Sequence, residues 1–402
     1  MNQSKLFYST IAICFLLFFA VSGFVIQGMQ QIALWISVPG AALCTIIAVP
    51  QRKFSVYLKL QVILYLWIAF TALFAIRPDL ASSQMKRIIG CFLLILTFCQ
   101  LGKDFRLIKI LYLIYIVYYL GMVYYAQSNI LSNSFDYTED RLGDDLLNAN
   151  TVAYFTFFTT FIVYIMADMV KNDFIKSILR LLFVLSPIWS FFIAIFTASR
   201  QVVIIQAPLI LILFYIRYFY SRSFFSKLLF LIVGGVLAFL LVSKGLSVYE
   251  GSMLSQRNEF NISDDVRTDM IRRAIEAGSD HPFFGVGPGC FGIYSYNAYT
   301  FSHNNYAELF ANSGLIAMVL CIIMYACFIS SQWRRYKKTK DRLFLIFFFF
   351  GIMYAIDNMF YVFYTSPWLM AFFFLVATHS DTYYNKVYNV GSLLPQTTIC
   401  DR

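Results

Sequence analysis

Mostly apolar stretches of about twenty residues recur along the whole chain, the length of helix needed to cross the hydrocarbon core of a bilayer. They fall at 8–27, 32–50, 56–76, 85–101, 107–125, 151–170, 180–198, 201–219, 224–243, 308–330, 343–361 and 364–378. Inside a bilayer no water satisfies backbone N–H and C=O groups, so such stretches must be helical. Pro187 and Pro208 fall within two of them, which neighbouring groups can accommodate. The expectation is an all-α polytopic membrane protein, one membrane domain over 1–402, with about twelve transmembrane helices (roughly 11–13). Composition agrees: 60% of the residues are hydrophobic and 13% charged, against about 25% charged in soluble proteins. That excludes soluble nucleotide-binding folds, barrels and sandwiches.

Charge orients the stretches. The basic groups Arg52/Lys53/Lys59, Lys103/Arg106/Lys109, Lys171/Lys176/Arg180, Arg217/Arg222/Lys227 and the run at 333–342 occupy alternate connections. The positive-inside rule then places both termini in the cytoplasm. It also accounts for the net charge of +10 without a nucleic-acid partner. The stretch after Lys5 is long for a signal peptide and lacks a small-x-small cleavage site, so it reads as a first membrane helix. The location expected is the cytoplasmic membrane.

Two extracytoplasmic segments are long: an acidic loop at 126–150 and a larger one at 244–303. The larger one is too long to be structureless. Within it, 264–278 has helical spacing, with Met270, Ile271, Ala274 and Ile275 on one side and Asp264 and Asp265 at its start. Gly278 and Pro282 mark its end. Gly285, Gly287 and Gly289 alternate after it, but no strand precedes them, so they mark a tight turn of closely approaching backbones rather than a dinucleotide fingerprint.

Metal and nucleotide chemistry have little to build on. No C-x-x-C, H-E-x-x-H, EF-hand or phosphate-loop spacing occurs, and the chain has three histidines. No metal and no cofactor is expected. Of the eight cysteines, Cys290 alone reaches the outer side, so a structural disulfide is not expected.

Polar residues on the outer side run against the topology bias. They are Arg141 with Asn148 and Asn150; Arg200; Arg267, Arg272 and Arg273; and His303, Asn304 and Asn305 with Tyr306 and Glu308. Each has a plainer reading. Arg200 could snorkel to headgroups, Arg141 could pair with neighbouring carboxylates, Arg272 and Arg273 could face solvent or lipid, and His303 could be an interfacial histidine. As a set they place several guanidinium groups and one imidazole at the ends of different segments on one side of a membrane. Guanidinium suits bidentate binding of phosphate oxygens, and histidine can take a proton from a hydroxyl. The chemistry implied is displacement of a lipid diphosphate by a hydroxyl, with arginines stabilising the leaving group.

Three stretches resemble the bacterial O-antigen ligase and polymerase superfamily of polytopic membrane glycosyltransferases. They are R-L-G-D-D-L-L-N-A-N-T-V-A at 141–153, T-A-S-R-Q at 197–201, and the long loop from V-R-T-D-M-I-R-R through H-P-F-F-G-V-G-P-G-C-F to S-H-N-N-Y-A-E-L-F-A-N-S-G at 302–314. Ala149 stands where the family usually has proline, and no large soluble domain follows the last stretch. The resemblance covers about residues 140–320 by motif. It implies a metal-independent, inverting transfer of a glycan from an undecaprenyl-diphosphate carrier to a sugar hydroxyl on the extracytoplasmic side. Catalytic residues would be His303, Arg267 and Arg200; diphosphate or substrate would be bound by Arg141, Asn148, Asn150, Arg272, Asn304, Tyr306 and Glu308. The acceptor would be another lipid-linked repeat unit, making the chain a polysaccharide polymerase, with a chain-length regulator as a candidate partner. The alternative acceptor is a lipid A-core glycolipid, making it a ligase. A membrane transporter is the reading from another class, and Asp357 is the one carboxylate well inside a stretch that would serve it.

Overall fold

The computed structural model describes residues 3–25, 29–48, 54–132, 149–199, 206–229, 231–232, 235, 266–295 and 301–389. The described residues are helical and divide into two compact units. Unit 1 comprises Met1–Ile114, Met270–Gly351 and Tyr361–Arg402; unit 2 comprises Tyr115–Asp269 and Ile352–Phe360.

Unit 1 is built from α1 (Gln3–Val25), α2 (Gln30–Ala48), α3 (Val56–Thr71), α4 (Pro78–Leu101), the start of α5 (Phe105–Ser132), most of α9 (Val266–Asp280), α10 (Asn305–Thr339), most of α11 (Arg342–Asp357) and α12 (Pro367–Tyr384). Local sequence sets the starts. Ser55 caps α3 by accepting the N–H of Leu58 at 3.3 Å. Pro78 opens α4, where a missing N–H costs nothing, and Asp79 beside it favours the dipole. Pro367 opens α12 in the same way. Every residue of α12 from Trp368 to Ser380 is buried, and from Trp368 to Ala377 the helix is apolar on every face. α4 packs along it, α2 lies between α1 and α4, and α3 packs on α10.

Unit 2 contains the rest of α5, α6 (Ala149–Met169), α7 (Asp173–Thr197) and α8 (Ala207–Phe214), which continues as a π turn over Tyr215–Phe219. Buried polar groups hold it together. Gln206 donates to Thr160 Oγ1 at 2.7 Å and to Ser190 Oγ at 2.9 Å, tying the entry of α8 to α6 and α7. Arg217 meets both oxygens of Asp168 and the Tyr164 carbonyl, with its guanidinium 4.1 Å from the centre of the Tyr164 ring.

The structure corrects the expectation of about twelve (roughly 11–13) membrane-spanning helices. Among the described residues, 6 helices are long and apolar enough to cross a membrane: Gln3–Ser22, Val56–Phe74, Pro78–Leu101, Phe105–Ala126, Asp173–Thr197 and Asn305–Thr339. Ile32–Ala48, Tyr154–Met169 and Ala207–Phe219 are apolar but shorter. For two of the runs the difference is one of geometry. An apolar run counts residues, whereas span depends on continuous α-helix at about 1.5 Å per residue. Within the run at 201–219, described from Gln206 onward, the α-helix covers 8 residues with Pro208 in its first turn, and a π turn continues it over Tyr215–Phe219. The run at 343–361 yields 16 residues, about 24 Å against a core of about 30 Å. Most of the run at 224–243 lies outside the described residues.

Candidate functional site

His303 lies in the turn that leads into α10, with φ of 58° in the left-handed region. For a residue with a Cβ that conformation is uncommon and persists only where neighbours determine it. Here both neighbours are tied. The N–H of Ser302 donates to Glu308 Oε2 at 2.7 Å, and Ser302 Oγ donates to the Asn304 carbonyl at 3.0 Å. Asn304 caps α10, its Oδ1 accepting the N–H groups of Tyr306 at 3.0 Å and Ala307 at 3.1 Å. The half-buried imidazole rests on Phe301, ring centres 4.6 Å apart, and Phe301 in turn meets the edge of Tyr361 at 5.2 Å.

Beneath the turn is a buried polar network. Asn312, one helical turn beyond Glu308, donates to Glu308 Oε1 at 3.0 Å and to the Tyr364 hydroxyl at 3.2 Å, and it accepts the N–H of Phe291 at 2.9 Å. Asn305 Oδ1 accepts two backbone N–H groups, from Phe363 at 2.8 Å and Tyr364 at 2.9 Å. Burial, reinforced by the nearby Glu308 carboxyl, pushes the Tyr364 phenol well above its ordinary range, so it stays protonated. The described bonds of Asn304 and Glu308 are thus a helix cap and a loop anchor. Tyr306 is half-buried with its ring edge-on to Tyr325 at 6.5 Å.

The glycine turn is threaded against a break in α10. Gly314 has φ 76° and ψ −179°, a conformation open essentially to glycine alone. Its neighbour Leu315 donates to the Pro282 carbonyl at 2.8 Å; Val286 and Gly287 donate to the carbonyls of Ala311 and Asn312 at 2.8 and 2.9 Å. A Cβ on Gly314 would lie 2.1 Å from the Phe283 oxygen, and one on Gly285 would lie 2.4 Å from the Asn312 carbonyl carbon. The break bends the helix without orphaning the Ser313 carbonyl, which accepts Trp67 Nε1 at 2.9 Å. Met270, Ala274, Ala277, Val286, Cys290, Phe291, Ala307 and Ala311 form the small core that joins α9, the turn and α10. Cys290 is part of it: burial raises its thiol pKa, and the Sγ faces the Arg77 carbonyl at 3.5 Å.

The other candidate residues divide by position. Arg267 and Arg272 stand on α9, five residues apart, and therefore on different faces at 3.6 residues per turn. Arg267 shares the face of Met270, Ala274 and Ala277 and is half-buried, whereas Arg272 is exposed. Arg273, between those faces, donates to the Tyr294 carbonyl at 3.3 Å. Arg267 belongs to unit 2 and His303 to unit 1. α7 ends at Thr197 with Ala198 left-handed and Ser199 buried. Arg200, which follows, lies outside the described residues, as do Arg141 and Asn148; Asn150 is in the first turn of α6. Sequence reasoning singled out Asn305 beside His303 but passed over Ser302, Asn312 and Tyr364 as site-building residues. The spacing of Glu308 and Asn312, four apart in an otherwise apolar run, was the signal available. Among the described residues, no three His, Cys, Asp or Glu side chains gather as a metal site would require.

A family model described as O-antigen ligase matches residues 185–322, so a domain of that family is present over part of the chain. The matched segment includes Arg200, Arg267, Arg272, His303, Asn304, Tyr306 and Glu308; Arg141, Asn148 and Asn150 precede it. No curated protein matches the chain.

Proposed function

We propose that this protein transfers a glycan from a lipid diphosphate carrier, undecaprenyl diphosphate by resemblance, to a hydroxyl of an acceptor glycan or glycolipid at the outer face of the cytoplasmic membrane. The observation that carries the reading is the coincidence of the matched domain, residues 185–322, with His303 held in a left-handed backbone by buried anchors. In the reaction the acceptor oxygen attacks the anomeric carbon of the donor sugar. The bond from that carbon to the diphosphate oxygen breaks, and its electron pair leaves with the diphosphate. The hydroxyl proton passes to a ring nitrogen of the His303 imidazole, which serves as general base. Arg200 and Arg267 stabilise the charge growing on the leaving group, the task for which guanidinium is pre-shaped. Direct displacement inverts the anomeric centre.

The acceptor is the finer question. The sequence places polymerisation first and ligation second; the description of the matched family favours ligation. Carrier-linked and surface glycans from deletion cells complemented with wild type or with His303→Ala separate the two. Long chains accumulating on the lipid diphosphate, with none on the glycolipid acceptor, are the result expected of a ligase. Single repeat units reaching their normal acceptor, with long chains lost, assign polymerisation. Unchanged glycans in the deletion strain contradict both.

A further inference from the structure

The large cavity of unit 1 is at the far end of the helices that carry the His303 turn. α10 starts at that turn and α4 starts beside the Arg77 carbonyl that Cys290 faces; Gln100 of α4 and Arg334 of α10 line the cavity, whose volume is about 1270 Å³. Lys5, Lys103, Arg106, Arg334, Arg335 and Lys386 line it, against the carboxylates Asp104 and Asp381. Both carboxylates are already engaged. Asp381 binds Arg335, and Asp104 accepts the N–H of Arg106 at 2.9 Å as part of the turn that starts α5. The first turns of α3 and α5 also line the cavity, bringing two positive helix ends to the same volume. Lys386 is placed 4.4 Å from the centre of the Phe105 ring, and Lys103 Nζ donates to Gln100 Oε1 at 2.9 Å with the Phe54 ring 6.0 Å away, so both ammonium groups are held at the wall.

Like charges drawn around one volume repel, and an anion in that volume offsets the repulsion. Guanidinium, ammonium and helix N-termini together are donors for phosphate oxygens. We propose that this cavity binds a phosphate-bearing anion, separately from the transfer site. The same chemistry is offered by an anionic lipid headgroup and by a soluble diphosphate. Basic pockets between membrane helices on the cytoplasmic side are known to take headgroups.

The test uses purified full-length protein in neutral detergent. It is titrated with phosphatidylglycerol in mixed micelles, with phosphatidylcholine as the zwitterionic control, and in a separate arm with inorganic pyrophosphate. Bound ligand is counted by native mass spectrometry and calorimetry. The expected result is that one probe binds and that Lys103→Gln/Arg106→Gln/Lys386→Gln weakens it about tenfold or more, since three charge-assisted contacts are removed. Arg180→Gln/Arg222→Gln, exposed residues of unit 2, leaves it unchanged. Binding of phosphatidylglycerol over phosphatidylcholine assigns a lipid; binding of pyrophosphate assigns a soluble anion. Binding of neither probe, or equal loss in both variants, overturns the proposal. Should the triple variant aggregate, the exposed Arg334→Gln replaces it, and unchanged binding in that variant also overturns the proposal.

Discussion

His303 and Gly314 are two residues whose backbones depart from their surroundings, and each departure leads to a different prediction. The left-handed φ of His303 is flanked by the hydrogen-bonded anchors Ser302 and Asn304. His303→Ala should keep the melting midpoint of the wild type within experimental spread while transfer falls about 10²-fold or more. A parallel loss of stability would instead mark the ring as a structural wedge on Phe301. Gly314 has no such latitude. A methyl group there meets the Phe283 carbonyl at 2.1 Å in a conformation closed to alanine. Gly314→Ala should cost about 3 kcal/mol or more, combining overpacking with backbone strain. Gly235→Ala, with nothing within 4 Å of the added carbon, is the matched control and should stay near wild type. Thermal unfolding in detergent reads both.

At the scale of elements, the joint between α9, the glycine turn and α10 depends on amide side chains rather than on apolar area. Asn312→Ala removes the partner of the Phe291 N–H and of Glu308 together, leaving buried polar groups unsatisfied. Asn305→Ala strips the acceptor from the N–H groups of Phe363 and Tyr364. Each should cost about 2–4 kcal/mol, at about 1–3 kcal/mol per orphaned group. A change near zero in Asn305→Ala, read by thermal unfolding in detergent, would contradict the acceptor role. Helix placement was legible at this scale because lipid imposes apolar runs, but the runs at 85–101, 308–330 and 364–378 did not locate the starts that Pro78, Asn304 and Pro367 set. The break at Gly314 was not legible. It exists because a loop from 282–287 lies against it, and such a partner is invisible to a reading along one helix. For the same reason Glu308 drew attention as a substrate ligand: sequence supplies the carboxylate on a helix face but not the Ser302 N–H that meets it.

For the whole molecule, apolar runs gave the class of fold correctly, but among the described residues only 6 helices are long and apolar enough to cross, fewer than the runs implied. In the proposed reaction at the His303 turn, Arg200 and Arg267 are assigned to the leaving group. Charge and geometry at those arginines can be separated. Arg267→Lys keeps the charge but not the planar fork, and should retain part of the activity that Arg267→Gln loses, with Arg267→Gln down about 10²-fold.

The most direct measurement is transfer by the purified protein in liposomes, with a labelled glycan on undecaprenyl diphosphate as donor and a glycolipid or second lipid-linked unit as acceptor. Label is expected to move to the acceptor with release of undecaprenyl diphosphate and an inverted new linkage, and His303→Ala and Arg267→Gln proteins of wild-type stability are expected to fail to move it. Transfer at wild-type rate by both variants would contradict the assigned site, and no transfer by the wild type to either acceptor would contradict the reaction itself.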